Sequence, residues 1–265
     1  MTMTQLIVLA IVQGLTEFLP VSSSGHLVLV PSIFGWTDQG LAFDVAVHFG
    51  SLIAVCIYFR EDVAGLLRGV AAILTGKIKT NDAHLVWCLG FGTIPAAMAG
   101  LAFAGWIAAN LRDPMVLVYT LAGYGALMAA ADRFAPSRKS IADIGIIDGV
   151  LIGFAQALAL IPGTSRSGVT ITAGRLLGFA RQDAAKFSFL LSVPVILLAS
   201  IYEAVILITG DVPVPWDNLL VAVLITAVVA YISIEFFMRF VSVIGLLPFA
   251  IYRILLAVLI IYVFS

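Results

Sequence analysis

The sequence predicts an all-α integral membrane protein, and three observations lead to this fold class. Of the 265 residues, 62% are hydrophobic and only 11% are charged, whereas a soluble domain carries about 25% charged residues. The mean hydropathy of the chain is +1.13. Apolar segments recur along the whole sequence, and several reach the roughly 20 residues that a helix needs to cross the hydrocarbon of a bilayer.

Six of these segments are predicted to be transmembrane helices. They lie at about 42–59, 86–109, 115–132, 187–209, 218–238 and 246–264. Two further apolar stretches, at about 5–34 and about 145–172, are interrupted by Pro, Gly, Ser and Thr. Broken backbone at membrane depth is tolerated only where it is buried in protein or lines a cavity. These two stretches are therefore predicted to be re-entrant helical hairpins.

The distribution of basic residues predicts the orientation. If the six spans alternate, eleven of the fourteen Lys and Arg residues lie on one side, and Arg112 is alone on the other. The positive-inside rule then places the basic loops in the cytoplasm. Both termini and the 109–114 and 210–217 loops are expected on the outer, periplasmic side. The net charge of −1 offers no basic surface to nucleic acid.

The two interrupted stretches resemble each other. At a constant offset of 143, QGLTEFLPVSSSGH (13–26) aligns with QALALIPGTSRSGV (156–169), and five of fourteen positions are identical. Because the identities cluster at the polar positions, we interpret 1–265 as a single membrane domain of two repeats, at about 1–140 and about 141–265. Each repeat has one hairpin and three spans, and the odd number of crossings inverts the second copy. Inverted-topology repeats typically hold their polar site at the repeat interface.

The first interrupted stretch carries an unusual concentration of polar side chains. These are Gln13, Glu17, Ser22, Ser23, Ser24 and His26. Gln13 and Glu17 are four residues apart and share one face of a helix, which Pro20 ends or kinks. Gly25 supplies backbone freedom. His26 follows Ser23 closely enough to polarise a serine hydroxyl.

The second interrupted stretch adds a cation. Arg166 lies among the hydroxyls of Ser165, Ser167 and Thr170. A helix that begins here exposes unpaired N–H groups and a positive dipole end, which suit an oxyanion, and the arginine fork matches phosphate. The offset of 143 pairs Arg166 with Ser23, so an anion held by Arg166 is expected to lie near Ser23, His26 and Glu17.

The remaining polar residues are interpreted mainly as structural. His48 is placed on an apolar face, and Arg253 is expected to pair with Glu235 between the last two spans. Asp44, early in the first span, is left open between a structural role and a role that supports the site. The small-residue spacing that ends at Gly100 is interpreted as helix packing.

Both stretches resemble the undecaprenyl-diphosphate phosphatase family of bacterial membranes, the bacitracin-resistance phosphatases. The family's first motif is (E/Q)xxxE followed by PVSSxGH, its second is PGxSRSGxT, and the chain matches both. FDVAVHFGSLIAV, FSFLLSVP and LLPFAIYR also resemble family sequence. The resemblance implies hydrolysis of undecaprenyl diphosphate to undecaprenyl phosphate and inorganic phosphate in the bacterial inner (plasma) membrane. This reaction recycles the lipid carrier of peptidoglycan synthesis and gives bacitracin resistance.

Residues and resemblance together give a set of expected site residues. The expected catalytic residues are Glu17, Ser23, His26 and Arg166, and the expected substrate-binding residues are Gln13, Ser22, Ser24, Ser165, Ser167 and Thr170. The resemblance also implies a divalent cation, Mg²⁺ or Ca²⁺. Gln13 stands where many family members have Glu, so the ion is expected to be held by Glu17 with hydroxyls, water and the diphosphate, as is usual for magnesium.

The expected mechanism places the terminal phosphate on Arg166 and the hairpin N–H groups, while Glu17 positions the cation. His26 then takes a proton either from Ser23, which forms a phosphoserine, or from a water that attacks directly; the sequence leaves both routes open. The PAP2-type phosphatases need a histidine after the arginine, and this chain has none there.

A polyprenyl-phosphate transporter or flippase is the alternative function, because an inverted repeat with broken helices is typical of transporters. The expected partners are the polyprenyl diphosphate and membrane lipid. The oligomeric state is left open, a homodimer included.

Overall fold

The computed structural model describes residues 1–111, 113–209 and 216–264. Within these ranges the chain forms eleven α-helices. In order they are α1 Met3–Thr16, α2 Ser23–Phe34, α3 Leu41–Tyr58, α4 Arg60–Leu74, α5 Asn81–Asn110, α6 Pro114–Phe134, α7 Ile146–Ala157, α8 Arg166–Leu176, α9 Arg181–Thr209, α10 Trp216–Ile244 and α11 Leu247–Phe264. Short 3₁₀ helices at Ile141–Asp143 and Leu158–Leu160 lie on either side of α7.

Six helices in these ranges, α3, α5, α6, α9, α10 and α11, are long and apolar enough to cross a membrane, which confirms the predicted number of spans. Two of them begin earlier than predicted: α5 starts at Asn81 and α9 at Arg181. Their first turns are polar, and α5 is capped by the Thr80 hydroxyl, which accepts from the Ala83 N–H at 3.1 Å. Hydropathy alone misses such polar turns. Arg112 and 210–215, from the predicted outer loops, lie outside the described residues.

Each interrupted stretch consists of two short helices. α1 and α2 have 14 and 12 residues, and α7 and α8 have 12 and 11. None of the four reaches the roughly 20 residues of a full span. The breaks between them contain Pro20 and Pro162, and each break leads directly into the helix that carries the polar motif.

A further helix forms where the sequence suggested only a basic loop. α4 follows α3 at once and begins with the acidic residues Glu61 and Asp62. It packs closely against the start of α5, since a Cβ on Gly69 would lie 2.5 Å from the carbonyl oxygen of Asp82. Leu67 and Leu74 on α4 are largely exposed, so this helix has both polar and apolar surface.

Ion pairs join the basic segments at one end of the helix bundle. Lys186 on α9 lies 2.8 Å from Asp62 on α4. Arg181 at the start of α9 donates twice to Asp132 near the end of α6, at 2.6 and 3.0 Å. The segments that follow the first and third spans and precede the fourth therefore lie together, as alternating spans require.

Close helix packing involves a different set of glycines from the one suggested by the sequence. A Cβ on Gly149 of α7 would lie 2.5 Å from the carbonyl oxygen of Cys88 on α5, so the two backbones touch. Nothing lies within 4 Å of the corresponding position on Gly100. The prediction that Gly100 mediates packing is therefore wrong.

Arg253 on α11 does not pair with Glu235, which corrects the sequence prediction. It is buried and donates to backbone carbonyl oxygens instead. These include Thr120 of α6 at 3.2 Å and Gly163 and Thr164 of the second break at 3.0 and 2.9 Å. Carbonyl groups freed by the break thus satisfy a buried guanidinium, and α11 is tied to the second broken stretch.

Candidate active site

The first break is organised around Glu17. α1 ends at Thr16, and the Glu17 N–H still donates to the Gln13 carbonyl oxygen at 2.9 Å. The Gln13 side-chain amide donates to Glu17 Oε2, also at 2.9 Å, as the predicted i, i+4 spacing allows. The next residue, Phe18, is completely buried and packs edge-to-face on Phe189 with ring centroids 5.2 Å apart. This anchor fixes the carboxylate inside the protein.

The two breaks share one local geometry. Ser22 and Ser165 precede α2 and α8, and both have a positive φ, of 75° and 70°. Each side chain caps its helix by accepting from a glycine N–H three residues on, at 3.3 Å from Gly25 and 3.1 Å from Gly168. A positive φ is uncommon for a residue other than glycine. Such backbone strain concentrates at functional sites, so both positions qualify as parts of a site.

The structure brings the two breaks into direct contact. Arg166 Nη2 donates to Glu17 Oε1 at 2.8 Å, and both side chains are largely buried. Ser167 Oγ donates to the carbonyl oxygen of Leu19 at 3.0 Å. The Arg166 guanidinium also lies over the Phe18 ring, 5.6 Å from its centroid. Residues 149 positions apart in sequence therefore form one charged centre.

Ser23 belongs to this centre. Its hydroxyl donates to Glu17 Oε2 at 2.8 Å, so the carboxylate holds Ser23 on one oxygen and Arg166 on the other. Ser23 is only partly buried. A serine hydroxyl bound to a carboxylate is oriented for attack, with a proton acceptor already in place.

His26 lies near this centre but is bonded differently from the expectation. Its Nδ1 is 2.7 Å from the Ser22 carbonyl oxygen and its Nε2 is 2.6 Å from the Tyr252 hydroxyl on α11. Both ring nitrogens are thus engaged, and neither bonds to Ser23. In this structure the hydrogen-bond acceptor for Ser23 is Glu17 Oε2, since both ring nitrogens of His26 have other partners.

The other predicted hydroxyls mainly shape the breaks. The hydroxyl oxygens of Ser22 and Ser24 are hydrogen-bonded at 3.2 Å. Those of Ser165 and Ser167 are hydrogen-bonded at 3.3 Å. The Thr170 hydroxyl bonds with the Ser188 hydroxyl at 2.6 Å and donates to the Arg166 carbonyl oxygen at 2.8 Å. Thr170 therefore supports the first turn of α8, with Ser188 as a partner that the motifs did not indicate.

Two buried polar atoms at the centre have no hydrogen-bond partner among the residues that the structure describes. Arg166 Nη1 and Gln13 Oε1 are inaccessible to solvent and make no hydrogen bond. Leaving a buried polar group unpaired costs about 1–3 kcal/mol, so such atoms point to a ligand, an ion or water. A donor on Arg166 suits an anion, while an amide oxygen on Gln13 suits a cation or a water molecule.

His48 is a further neighbour of Glu17, although its position among apolar residues predicts a structural role. Its Nε2 lies 3.8 Å from Glu17 Oε2, and its Nδ1 is 2.7 Å from the Asp44 carbonyl oxygen. The Asp44 carboxylate accepts from the Gln39 side chain at 3.1 Å. In the sequence, the only sign of this role is the spacing of Asp44 and His48, four residues apart on the first span. The apolar residues around them favour a structural interpretation instead.

A metal held by protein side chains alone is not indicated. Among residues 1–111, 113–209 and 216–264, no three His, Cys, Asp or Glu side chains come together. Glu17 is the only carboxylate at the junction of the described breaks, with the unpaired Gln13 Oε1 beside it. This pair of oxygen ligands fits a hard cation such as Mg²⁺, which usually keeps several water ligands and binds through one or two carboxylates.

The fold and the site together define a class of protein. Six spanning helices carry two broken stretches, and these meet in a buried carboxylate–arginine–serine centre with an unsatisfied guanidinium N–H. That is a multi-pass membrane protein with a buried charged site. Residues 6–259 match the family model described as bacitracin resistance protein BacA, and the chain belongs to this family of bacterial membrane proteins.

Curated relatives match the chain along its full length. It is 50% identical over 268 residues to undecaprenyl-diphosphatase 2 of Stutzerimonas stutzeri (strain A1501). This alignment covers 100% of this chain and 99% of the relative. It is 48% identical to the undecaprenyl-diphosphatase of Hahella chejuensis (97% and 96% covered) and 47% identical to that of Campylobacter curvus (100% of both). The resemblance drawn from the motifs is thus confirmed.

Proposed function

We propose that the chain hydrolyses undecaprenyl diphosphate to undecaprenyl phosphate and inorganic phosphate. The observation that carries this function is the unpaired N–H of Arg166, buried beside Glu17 and Ser23. The BacA family and the phosphatase names of its relatives support the same reaction, and favour it over the flippase alternative. As expected of the family, the reaction recycles the lipid carrier of peptidoglycan synthesis and gives bacitracin resistance.

The terminal phosphate is bound by Arg166 and by the first turns of α2 and α8. Arg166 Nη1 supplies a buried donor that has no partner within the described part of the chain. The N-termini of both helices point their free N–H groups and positive dipole ends into the breaks. Charge on a phosphate is stabilised most where water is excluded and donors are already oriented, which describes the buried contact between the breaks.

Chemistry begins at Ser23 or at a water beside it. In the covalent route the Ser23 oxygen attacks the terminal phosphorus, its proton passes to Glu17, and the bond from phosphorus to the bridging oxygen breaks to release undecaprenyl phosphate. A water then attacks the phosphoserine and gives its proton to His26, while the Ser23 oxygen takes its proton back from Glu17 as its bond to phosphorus breaks. Arg166 Nη2 keeps its bond to Glu17 Oε1, the oxygen that does not face Ser23, while Nη1 binds the phosphate. In the direct route a water takes the place of Ser23, and we assign its activation to His26.

A divalent cation, Mg²⁺ or Ca²⁺, is part of this proposal. Glu17 and the Gln13 side-chain oxygen would hold it, and the unpaired state of Gln13 Oε1 supports this choice. When bound, the ion neutralises charge on the diphosphate. The role of Arg166 and Ser23 is to bind and orient the phosphate that the ion shares.

The topology of the site is also a proposal. The two broken stretches are re-entrant hairpins of an inverted repeat, supported by the matching positive φ of Ser22 and Ser165 and by the sequence offset of 143. The basic loops face the cytoplasm, and the termini face outward. In spheroplasts, a membrane-impermeant thiol reagent is expected to label N110C but not K79C, both in a background without Cys56 and Cys88. Labelling of K79C alone would reverse the orientation.

Phosphate release in detergent tests the proposed function, because detergent removes the two sides on which transport depends. We expect the wild-type protein with Mg²⁺ or Ca²⁺ to release phosphate from a polyprenyl diphosphate, and R166Q to be slower by about 10²–10³-fold. R239Q is the control. Like Arg166 over Phe18, Arg239 lies over a phenylalanine ring, that of Phe240. R239Q removes the same charge as R166Q, but from an exposed position on α10.

Two outcomes would contradict the proposal. No release by the wild-type protein would favour the transporter. Equal activity of R166Q and R239Q would place the reaction elsewhere.

A further inference from the structure

The side chain of His26 has a partner on the last helix, a tyrosine in the family-like segment LLPFAIYR (246–253). The Tyr252 hydroxyl lies 2.6 Å from His26 Nε2. The two rings are nearly parallel, 7° apart, with centroids separated by 5.6 Å. The pair joins α2 of the first broken stretch to α11, 226 positions further along the chain.

The hydrogen-bond roles in this pair follow from the other ring nitrogen. His26 Nδ1 faces the Ser22 carbonyl at 2.7 Å, and a carbonyl can only accept, so Nδ1 carries the proton in the neutral ring. Nε2 is then the basic nitrogen, and the Tyr252 hydroxyl donates to it. When Nε2 gains a proton, the same hydroxyl can accept, because a phenol is both donor and acceptor. Tyr252 can thus serve His26 in both protonation states.

The position of Tyr252 is itself fixed. The next residue, Arg253, donates to the carbonyl oxygens of Gly163 and Thr164 in the second break and to Thr120 on α6. Two consecutive residues of α11 therefore hold both breaks, Tyr252 through His26 and Arg253 through the backbone.

We propose that Tyr252 is a positioning residue for His26 in the phosphatase reaction. Its hydroxyl directs the basic Nε2 of the imidazole, and its ring holds the imidazole plane. The inference rests on the proposed function for its catalytic consequence, but the contact itself can be tested without turnover. Tyr252 is half exposed, whereas His26 is buried, so the tyrosine is not needed merely to fill the core.

The kinetic test compares Y252F and H26A singly and together. Y252F keeps the stacked ring and loses the hydrogen bond, so we expect kcat to fall about tenfold with KM nearly unchanged. In the H26A background, adding Y252F is expected to cause no further loss, because Tyr252 acts through the imidazole. Y262F, a tyrosine change on the same helix at a highly exposed position, is expected to behave as wild type.

A spectroscopic test reads the same contact directly. The chain has three histidines, so ¹⁵N-histidine spectra in detergent are simple to assign with H26A. Y252F should shift the Nε2 signal of His26 from a bonded to an unbonded nitrogen and leave the other two histidines unchanged.

The proposal is overturned if Y252F leaves the Nε2 signal of His26 unchanged or retains full activity. It is also overturned if Y252F lowers kcat by the same factor in the wild-type and H26A backgrounds. A wild-type protein that releases no phosphate would refute the proposed function instead, and the spectra would still test the pair.

Discussion

At the scale of single residues, Glu17 explains most of the site. Its two carboxylate oxygens receive donors from Arg166, Ser23 and Gln13. The sequence predicted all four residues, because the motif spacing places them in two matching breaks. The sequence did not predict the direct pair of Glu17 and Arg166. From the motifs, Glu17 is expected to hold the cation and Arg166 the phosphate.

The same carboxylate makes Ser23 the residue most open to test. We expect S23A to lower kcat by at least about 10²-fold, because the hydroxyl bonded to Glu17 is lost. With substrate labelled in the terminal phosphate, acid quenching should trap label on the wild-type protein and none on S23A. S32A is the control, since Ser32 lies on the same helix and its exposed hydroxyl donates to the Val28 carbonyl oxygen at 2.9 Å. A fully active S23A would refute the covalent route.

His48 and Tyr252 show where residue patterns reach their limit. Both approach the site from helices that look like ordinary spans, and their polar atoms meet Glu17 and His26 only after the chain has folded. A histidine or tyrosine in an apolar helix gives the same pattern whether it faces lipid or a site. These contacts could not be derived without the tertiary structure.

At the scale of elements, the two breaks are held by serine rather than glycine. The sequence predicted backbone freedom at Gly25, but Gly25 lies inside the first turn of α2, and the left-handed residue is Ser22. Ser165 does the same before α8. The reason is that a serine oxygen can cap the helix, which offsets part of the cost of a positive φ.

This geometry predicts an unusual order of stability at Ser165. S165G removes the cap at a cost of only a few tenths of a kcal/mol and relieves the positive φ, whereas S165A loses the cap and keeps the strain. We expect S165G to be more stable than S165A by about 1–2 kcal/mol, measured as thermal unfolding in one detergent.

Ser140 provides the matched control for this comparison. It precedes a 3₁₀ helix with an ordinary φ of −102°, so glycine gains no advantage from backbone strain there. If S165A were as stable as S165G, the strain at this break would play no part in the stability of the protein.

At the scale of the whole molecule, hydropathy and charge predicted the number of spans and the grouping of the basic segments. They did not predict α4, because its mixture of polar and apolar residues resembles a loop next to a span. Nor did they predict the partners of Arg253, since backbone carbonyl groups leave no mark on a sequence pattern. The family, in contrast, could be predicted from two motifs in the sequence. A phosphate site restricts the residue types at many positions at once, so its motifs are long and specific.

We propose that the two breaks hold one terminal phosphate between Arg166 and Ser23. An experimental structure with a polyprenyl methylenediphosphonate, which resists hydrolysis, tests it most directly. We predict the terminal phosphonate in contact with Arg166 Nη1 and Ser23 Oγ, at the N-termini of α2 and α8. A phosphonate bound away from both residues, with the Glu17–Arg166 pair unchanged, would contradict the account.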